Sequence, residues 1–226
     1  MGTAIHFGYM DLSSALQATK PATILDVGVG AGHYGLLCRE ALDIFWGRPF
    51  PDQWQVQIDG IEIFAPLIER CRWQKCIYNC IIIGDVADCL KPEKKLPDYD
   101  CIIAGDVIEH MDKETGTAVL KELFQRARKM LFLSIPIGSG WLGGFSPGEN
   151  KHELHLAEWE ETEVRDCVPD EFALAKRSQL AMPRRSGESG ARYICSYVFV
   201  RAERGSRICQ PNRKLVLPAS ACSGRE

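Results

Sequence analysis

Three groups of residues in this chain are of types that can do chemistry. The run Asp26-Val-Gly28-Val-Gly30-Ala-Gly32 is a glycine-rich turn of the kind that brings backbone close to a ligand. Glu62 and Asp85 are single carboxylates, each at the end of an apolar run. Asp106, Glu109 and His110 are spaced so that a helical turn over 106–111 would put all three on one face. Two carboxylates and an imidazole make a general base with its orienting partner, or part of a divalent-metal site. A structural pair is the third reading, with Asp106 as a helix cap and His110 in a buried hydrogen bond. A further polar stretch, His152-Glu-Leu-His155-Leu-Ala-Glu158-Trp159, follows later. Three of the five histidines therefore fall in two segments expected to frame one crevice.

These groups must be carried by a regular scaffold. Apolar runs of strand length at 23–27, 55–61, 80–83, 100–104 and 131–135 alternate with helix-period segments at 32–45, 66–75, 113–129 and 156–168. Two more strands, 171–176 and 193–201, have no helix between them and read as an antiparallel hairpin. The pattern predicts an α/β fold: a seven-stranded, mostly parallel, doubly wound sheet with helices on both faces. Residues 1–20 read as an N-terminal extension, 21–201 as one domain and 202–226 as a disordered or loosely attached tail. Ligands of such sheets bind above the carboxyl ends of the strands, where the glycine turn, Glu62 and Asp85 all fall.

The glycine turn alone also suits dinucleotides. His33, however, stands where the third glycine of that fingerprint belongs, and Asp26 would attract a cation and repel a pyrophosphate. With ILDVGVGAGHYG (24–35), DGIEIF (59–64), IIIGDVAD (81–88) and YDCIIAGDVIEHM (99–111), the chain resembles the class I S-adenosylmethionine-dependent methyltransferases. The resemblance implies that S-adenosylmethionine is the cofactor and that Glu62 holds the ribose hydroxyls. It further implies that Asp85 accepts from the adenine amino group and that Gly28, Gly30 and Gly32 pass beneath the methionine part. Asp26, Ile63, Val86 and Asp106 complete the expected cofactor contacts. His110, Glu109 and Asp106 are the expected catalytic residues, since residues past the fourth strand face the methyl group in this family. A departure is the 34-residue separation of Gly28 and Glu62, which leaves Trp46–Gln53 as an inserted loop expected to border the site.

The 106–110 motif with the later histidines is also similar to two metal-dependent branches, the ubiquinone-pathway and small-RNA 2′-O-methyltransferases. They imply Asp106, Glu109, His110 and His155 as metal ligands. Here Asp106 replaces a Glu and is one methylene shorter, so a divalent metal is the alternative and not the preferred reading.

The net charge of −3 divides into about −6 for residues 1–201 and +3 for the remainder. An acidic body is a poor partner for phosphate backbones, which argues against nucleic acid and for a small-molecule or glycan-like acceptor. The loop 138–148, with Trp141 and Phe145, is a candidate lid for that acceptor. A catalytically silent, cofactor-binding regulatory subunit is the reading from another class. No apolar run reaches membrane-spanning length and residues 1–20 lack a signal pattern, so a cytoplasmic protein without membrane attachment is expected. The ten cysteines include no CxxC pair and read as free thiols.

Overall fold

The computed structural model describes residues 7–71, 73–143, 150–183 and 192–202. Its strands are β1 (Thr23–Val27), β2 (Gln57–Glu62), β3 (Cys80–Ile83), β4 (Tyr99–Gly105), β5 (Ala127–Gly138), β6 (Phe172–Ala181) and β7 (Arg192–Arg201). They form one sheet in the order β3-β2-β1-β4-β5-β7-β6. The first five strands pair in parallel, while β7 runs antiparallel to both β5 and β6. Strand order reverses between β1 and β4, and that switch point opens a crevice at the carboxyl ends of the strands. The expected seven-stranded sheet with its terminal hairpin is observed.

The central strands are buried on both faces, which is why they read as continuous apolar runs and not as alternating ones. One face is covered by α1 (Tyr9–Thr19), α2 (His33–Leu42), α3 (Ala65–Arg70) and α4 (Gln74–Ile77), the other by α5 (Val86–Cys89), α6 (Lys113–Arg126) and α7 (Glu161–Asp166). Asp112 starts α6 by accepting from the Thr115 amide at 2.9 Å. Val119, Leu120, Leu123 and Phe124 then form its buried stripe. Each such side chain contributes about 1.5–3 kcal/mol on burial.

Several boundaries differ from the sequence reading for identifiable reasons. Residues 1–20 are not a plain extension, because α1 buries Leu12 and Leu16 completely and belongs to the core. The helix expected over 66–75 is two short helices, Ala65–Arg70 and Gln74–Ile77; just before the second, the Trp73 indole N–H reaches the Ala31 carbonyl at 3.0 Å. The helix expected over 156–168 begins only at Glu161, where Glu160 and Glu163 form a capping box. Leu156–Trp159 is instead extended, with Trp159 bridged to Ile137.

The inserted loop is also displaced from its expected place. Helix α2 starts at the crevice and runs back along the sheet, so Ile44–Trp46 and Pro51–Gln53, two 3-10 turns, lie at the far end. Lys20, just before β1, sits over the Trp46 ring at 5.0 Å, and no residue of the insertion lines the crevice. A buried Arg39 fixes this end: its guanidinium donates to the carbonyls of Val56 and Ile77, to Asn79 and to Asp43. No helix among the described residues is long and apolar enough to cross a membrane. All eight cysteines among them are free thiols. Residues 203–226 and Phe145 lie outside the described residues.

Candidate functional site

The turn after β1 is held in shape before any ligand arrives. Gly28 has φ 78°, and a Cβ there would stand 2.3 Å from Val107 Cγ2, so only glycine fits. The amides of Gly28 and Val29 both donate to the Ile61 carbonyl, at 2.9 and 3.2 Å. The Gln74 side-chain amide donates to the Gly30 carbonyl. Gly32 is the N-cap of α2 and packs against Gln74 and Tyr78, away from the crevice.

Glu62 ends β2 and is nearly buried, yet it lines the crevice. One of its oxygens accepts from Gly30 N at 2.9 Å and the other from Phe64 N at 2.8 Å. A carboxylate oxygen accepts more than one donor, so this geometry aims the group and leaves acceptor capacity toward the crevice. Ile63 and Val86 also line it. Asp85 is exposed there, and its Oδ1 caps α5 by accepting from the Ala87 amide at 2.8 Å. Asp26 differs from expectation. It is fully buried behind the loop, bonded to the Tyr78 hydroxyl, and does not line the crevice.

The other end of the crevice, about 640 Å³ in all, is built past β4 and β5. Asp106 does not share a helical face with Glu109 and His110. Its φ of 53° is left-handed, its carboxylate accepts from Ser134 Oγ at 2.9 Å, and the following turn is a short 3-10 segment, Ile108–His110. Of the four residues expected as metal ligands, Asp106 falls outside the cluster and the other three come together: one ligand atom each from Glu109, His110 and His155 lie within 4.8 Å of one another. The two imidazoles meet edge to face, 4.9 Å between centroids.

One strap, residues 150–159, which opens on a 3-10 turn at Lys151–Glu153, makes this assembly. The Glu109 carbonyl accepts from the amides of Leu156 and Ala157 at 2.8 and 3.2 Å. His110 Nδ1 lies 3.2 Å from the Leu154 carbonyl, which requires the proton on Nδ1 and leaves Nε2 as an acceptor or ligand. Gly143 N donates to the His155 carbonyl, and Glu158 Oε1 accepts from the amides of Gly140 and Trp141 at 2.5 and 2.9 Å. Trp141 is thereby held 6.1 Å from His155, with the Arg192 guanidinium over its ring at 4.2 Å.

Burial dominates the electrostatics of this end. It pushes the Glu109 carboxyl well above the ordinary range, with the charges of Asp106 and Glu153 adding to the effect. Burial, together with the charge of His110, pushes His155 down to about 4. Near neutrality His155 is therefore a neutral ring. Glu109 Oε2 and His155 Nδ1 are buried without a hydrogen-bond partner. Oxygen and imidazole donors so placed suit a transition-metal ion, as orphaned polar atoms of this kind are otherwise destabilising.

The sequence missed Tyr9 of α1 and Tyr34 of α2, both of which line the crevice. Tyr9 belongs to no motif, and Tyr34, though inside the 24–35 stretch, was read there only as part of the turn. The apolar spacing of Leu12 and Leu16 was the available signal that α1 packs on the sheet.

No protein-family model and no curated protein sequence matches the chain. Solved structures do. Magnesium protoporphyrin IX methyltransferase from Synechocystis PCC 6803, with bound SAH, is 18% identical, with a TM-score of 0.53 over 86% of this chain and 82% of that one. The methyltransferase domain of bacterial CtHen1 is 19% identical, with a TM-score of 0.51 over 86% and 97% of the two chains. TehB from Haemophilus influenzae is 13% identical, with a TM-score of 0.59 over 89% and 63%. At these identities the likeness is one of fold. The chain has the fold of the class I S-adenosylmethionine-dependent methyltransferases.

Proposed function

We propose that this protein is an S-adenosylmethionine-dependent methyltransferase acting on an oxygen or nitrogen of a small-molecule or glycan-like acceptor. The observation that carries the reading is Glu62, a nearly buried carboxylate aimed by two backbone amides at the head of a crevice floored by a preformed glycine turn. Such a group suits two vicinal hydroxyl donors. The residues present therefore fit the cofactor, whose sulfonium supplies an activated methyl group. The protein's own part is orientation and exclusion of water, with His110 Nε2 placed to receive a proton from the acceptor. Calorimetric titration with S-adenosylmethionine and S-adenosylhomocysteine tests the reading. Micromolar binding that Glu62→Ala weakens at least tenfold is expected; no binding at millimolar ligand, or unchanged binding in the variant, overturns it.

A metal-assisted version of the same reaction is favoured by one observation, the partnerless buried atoms of Glu109 and His155 beside His110. These three residues would hold a divalent ion, and the ion would act as a Lewis acid toward an acceptor hydroxyl. Titration with Co²⁺ separates the two versions. A visible ligand-field band that is lost in His155→Ala supports the metal, and a spectroscopically silent titration removes it.

A further inference from the structure

The inserted loop at the far end of the sheet has a pinned inner side and an apolar outer one. Asp43 Oδ1 accepts from Arg48 Nε and from the Gln55 amide, each at 2.9 Å. Trp54 packs inward against the Arg39 guanidinium at 4.5 Å, and its indole N–H donates to the Arg48 carbonyl at 3.1 Å. Ile44, Phe45, Trp46 and Phe50 are nevertheless 38, 67, 49 and 62% exposed. Single exposed apolar side chains are ordinary, but these four crowd one short loop that is held in place, and they form a patch. Its surroundings are basic. Lys20 reaches over the Trp46 ring, and Lys129 Nζ lies 3.5 Å from the Lys20 carbonyl. Arg128 and Lys129 share one carboxylate, Asp100, at 3.2 and 3.0 Å, so positive charge is in excess there. Against it stand two exposed acids, Asp52 in the loop and Glu40 near the end of α2. Arg201 donates to the carbonyl of Ala127, the first residue of β5, at 3.1 Å. The chain therefore passes into residues 203–226, with their net charge of +3, at this same end.

We propose that this end of the molecule docks on an anionic lipid bilayer, with Phe45, Trp46 and Phe50 entering the headgroup boundary and Lys20, Lys129 and residues 203–226 supplying the electrostatic attraction. The inference is independent of the cofactor reading above. Aromatic rings settle at that boundary because an apolar body can be buried while the indole N–H stays wet. An apolar anchor by itself binds marginally, and stable attachment takes a second, basic signal; both are present here. Each cation near an anionic surface adds about fivefold to the partition. The net charge of about −6 over residues 1–201 does not oppose this. Physiological salt screens charges more than about 8–10 Å away, and the carboxylates of the crevice are at the opposite end. The patch suits lipid better than a single-stranded nucleic acid. Lys20 covers one face of Trp46, and Phe45 meets Trp46 edge to face at 5.7 Å, so the pair lacks the open parallel faces on which bases stack. Residues 203–226 are a poor cover for the patch themselves, since their positive charge would meet Lys20, Arg128 and Lys129. Docked this way, the protein keeps its crevice facing the solution.

The test is co-sedimentation of the full chain with vesicles of phosphatidylcholine alone and of phosphatidylcholine mixed with phosphatidylserine, at low and high salt. Binding to the mixed vesicles that is about tenfold or more tighter than to the neutral ones, and weakened by salt, is expected. Serine at Phe45, Trp46 and Phe50 together should reduce it by about tenfold or more while circular dichroism and melting stay as in the wild type. Lys20→Gln with Lys129→Gln should cost about five- to thirtyfold. Trp46→Phe keeps an apolar ring and should retain binding, but quenching of the protein's fluorescence by bromine-labelled acyl chains should fall, which a merely structural role for Trp46 would not produce. No sedimentation, equal partition to both vesicles, undiminished binding in the triple-serine variant, or unaltered quenching in Trp46→Phe overturns the inference. A preference for a single-stranded oligonucleotide over the mixed vesicles overturns it as well. So does a concentration-dependent dimer that the triple-serine variant abolishes, because the patch would then belong to a second copy of the chain.

Discussion

Replacing Asp26 by Asn should make the protein more stable at alkaline pH, and by an amount that depends on pH. The carboxyl ionises at about 7 in the fold and near 3.9 in an unfolded chain. The folded state therefore keeps the proton while the unfolded state has lost it. The stability of the neutral form is full below the unfolded value and falls as pH rises through the folded one. Three pKa units at 1.36 kcal/mol each give about 4 kcal/mol lost by pH 8. Asn keeps an oxygen to accept from Tyr78 but carries no charge, so this loss is absent from the variant. The buried amide N–H₂ adds a pH-independent penalty of about 1–3 kcal/mol. The diagnostic is accordingly the change in the difference between variant and wild type, about 3 kcal/mol between pH 5 and pH 8. At roughly 2–4 °C per kcal/mol for a chain of this size, the melting-temperature difference should move by about 6–12 °C in favour of the variant. Thermal and urea unfolding followed by circular dichroism measure it. A difference constant to within about 1 kcal/mol across that range would refute the reasoning.

Three other outcomes follow from the packing. Gly105→Ala would put a Cβ 2.1 Å from Tyr34 Cε2. It should lower unfolding free energy by about 1–3 kcal/mol, and a smaller side chain at 34 should restore part of it non-additively in urea titrations. Arg39→Leu takes one partner from the fully buried Asp43, which keeps Arg48 and the Gln55 amide, and removes the donor to three backbone or amide acceptors, so chemical denaturation should show a loss of about 2–4 kcal/mol. Arg39→Lys should recover little of it, because an ammonium cannot match the planar fork. Serine at Phe45, Trp46 and Phe50 together should leave S-adenosylhomocysteine affinity within about twofold, since those side chains lie at the far end of the sheet. Calorimetry of the triple variant checks it, and a larger loss would return the insertion to the border of the site.

The sheet was legible because its strands announce themselves as short apolar runs bounded by glycines, prolines and carboxylates. The glycine turn and Glu62 were legible for the same reason: they fall at the ends of those runs. What escaped was set by tertiary contacts. Pro66 and the apolar spacing after it suggest one long helix, but Trp73, just before the second of two short ones, is held by the Ala31 carbonyl, 42 residues away. Asp106 shares a helical spacing with Glu109 and His110, but Ser134, on a neighbouring strand, draws it into a left-handed turn. Asp26 has the sequence position of a ligand contact; Tyr78, 52 residues away, takes it inward. The 34-residue gap before Glu62 reveals an insertion but not the direction of the helix that carries it to the other end.

The strap over residues 150–159 joins the exits of β4 and β5 largely through its own peptide groups, and Leu156 and Ala157 contribute only amides to Glu109. Main-chain bonds do not depend on which side chains accompany them. Substitutions along the strap at positions other than His155 can therefore reshape this wall of the crevice while Glu109, His110 and His155 keep their spacing.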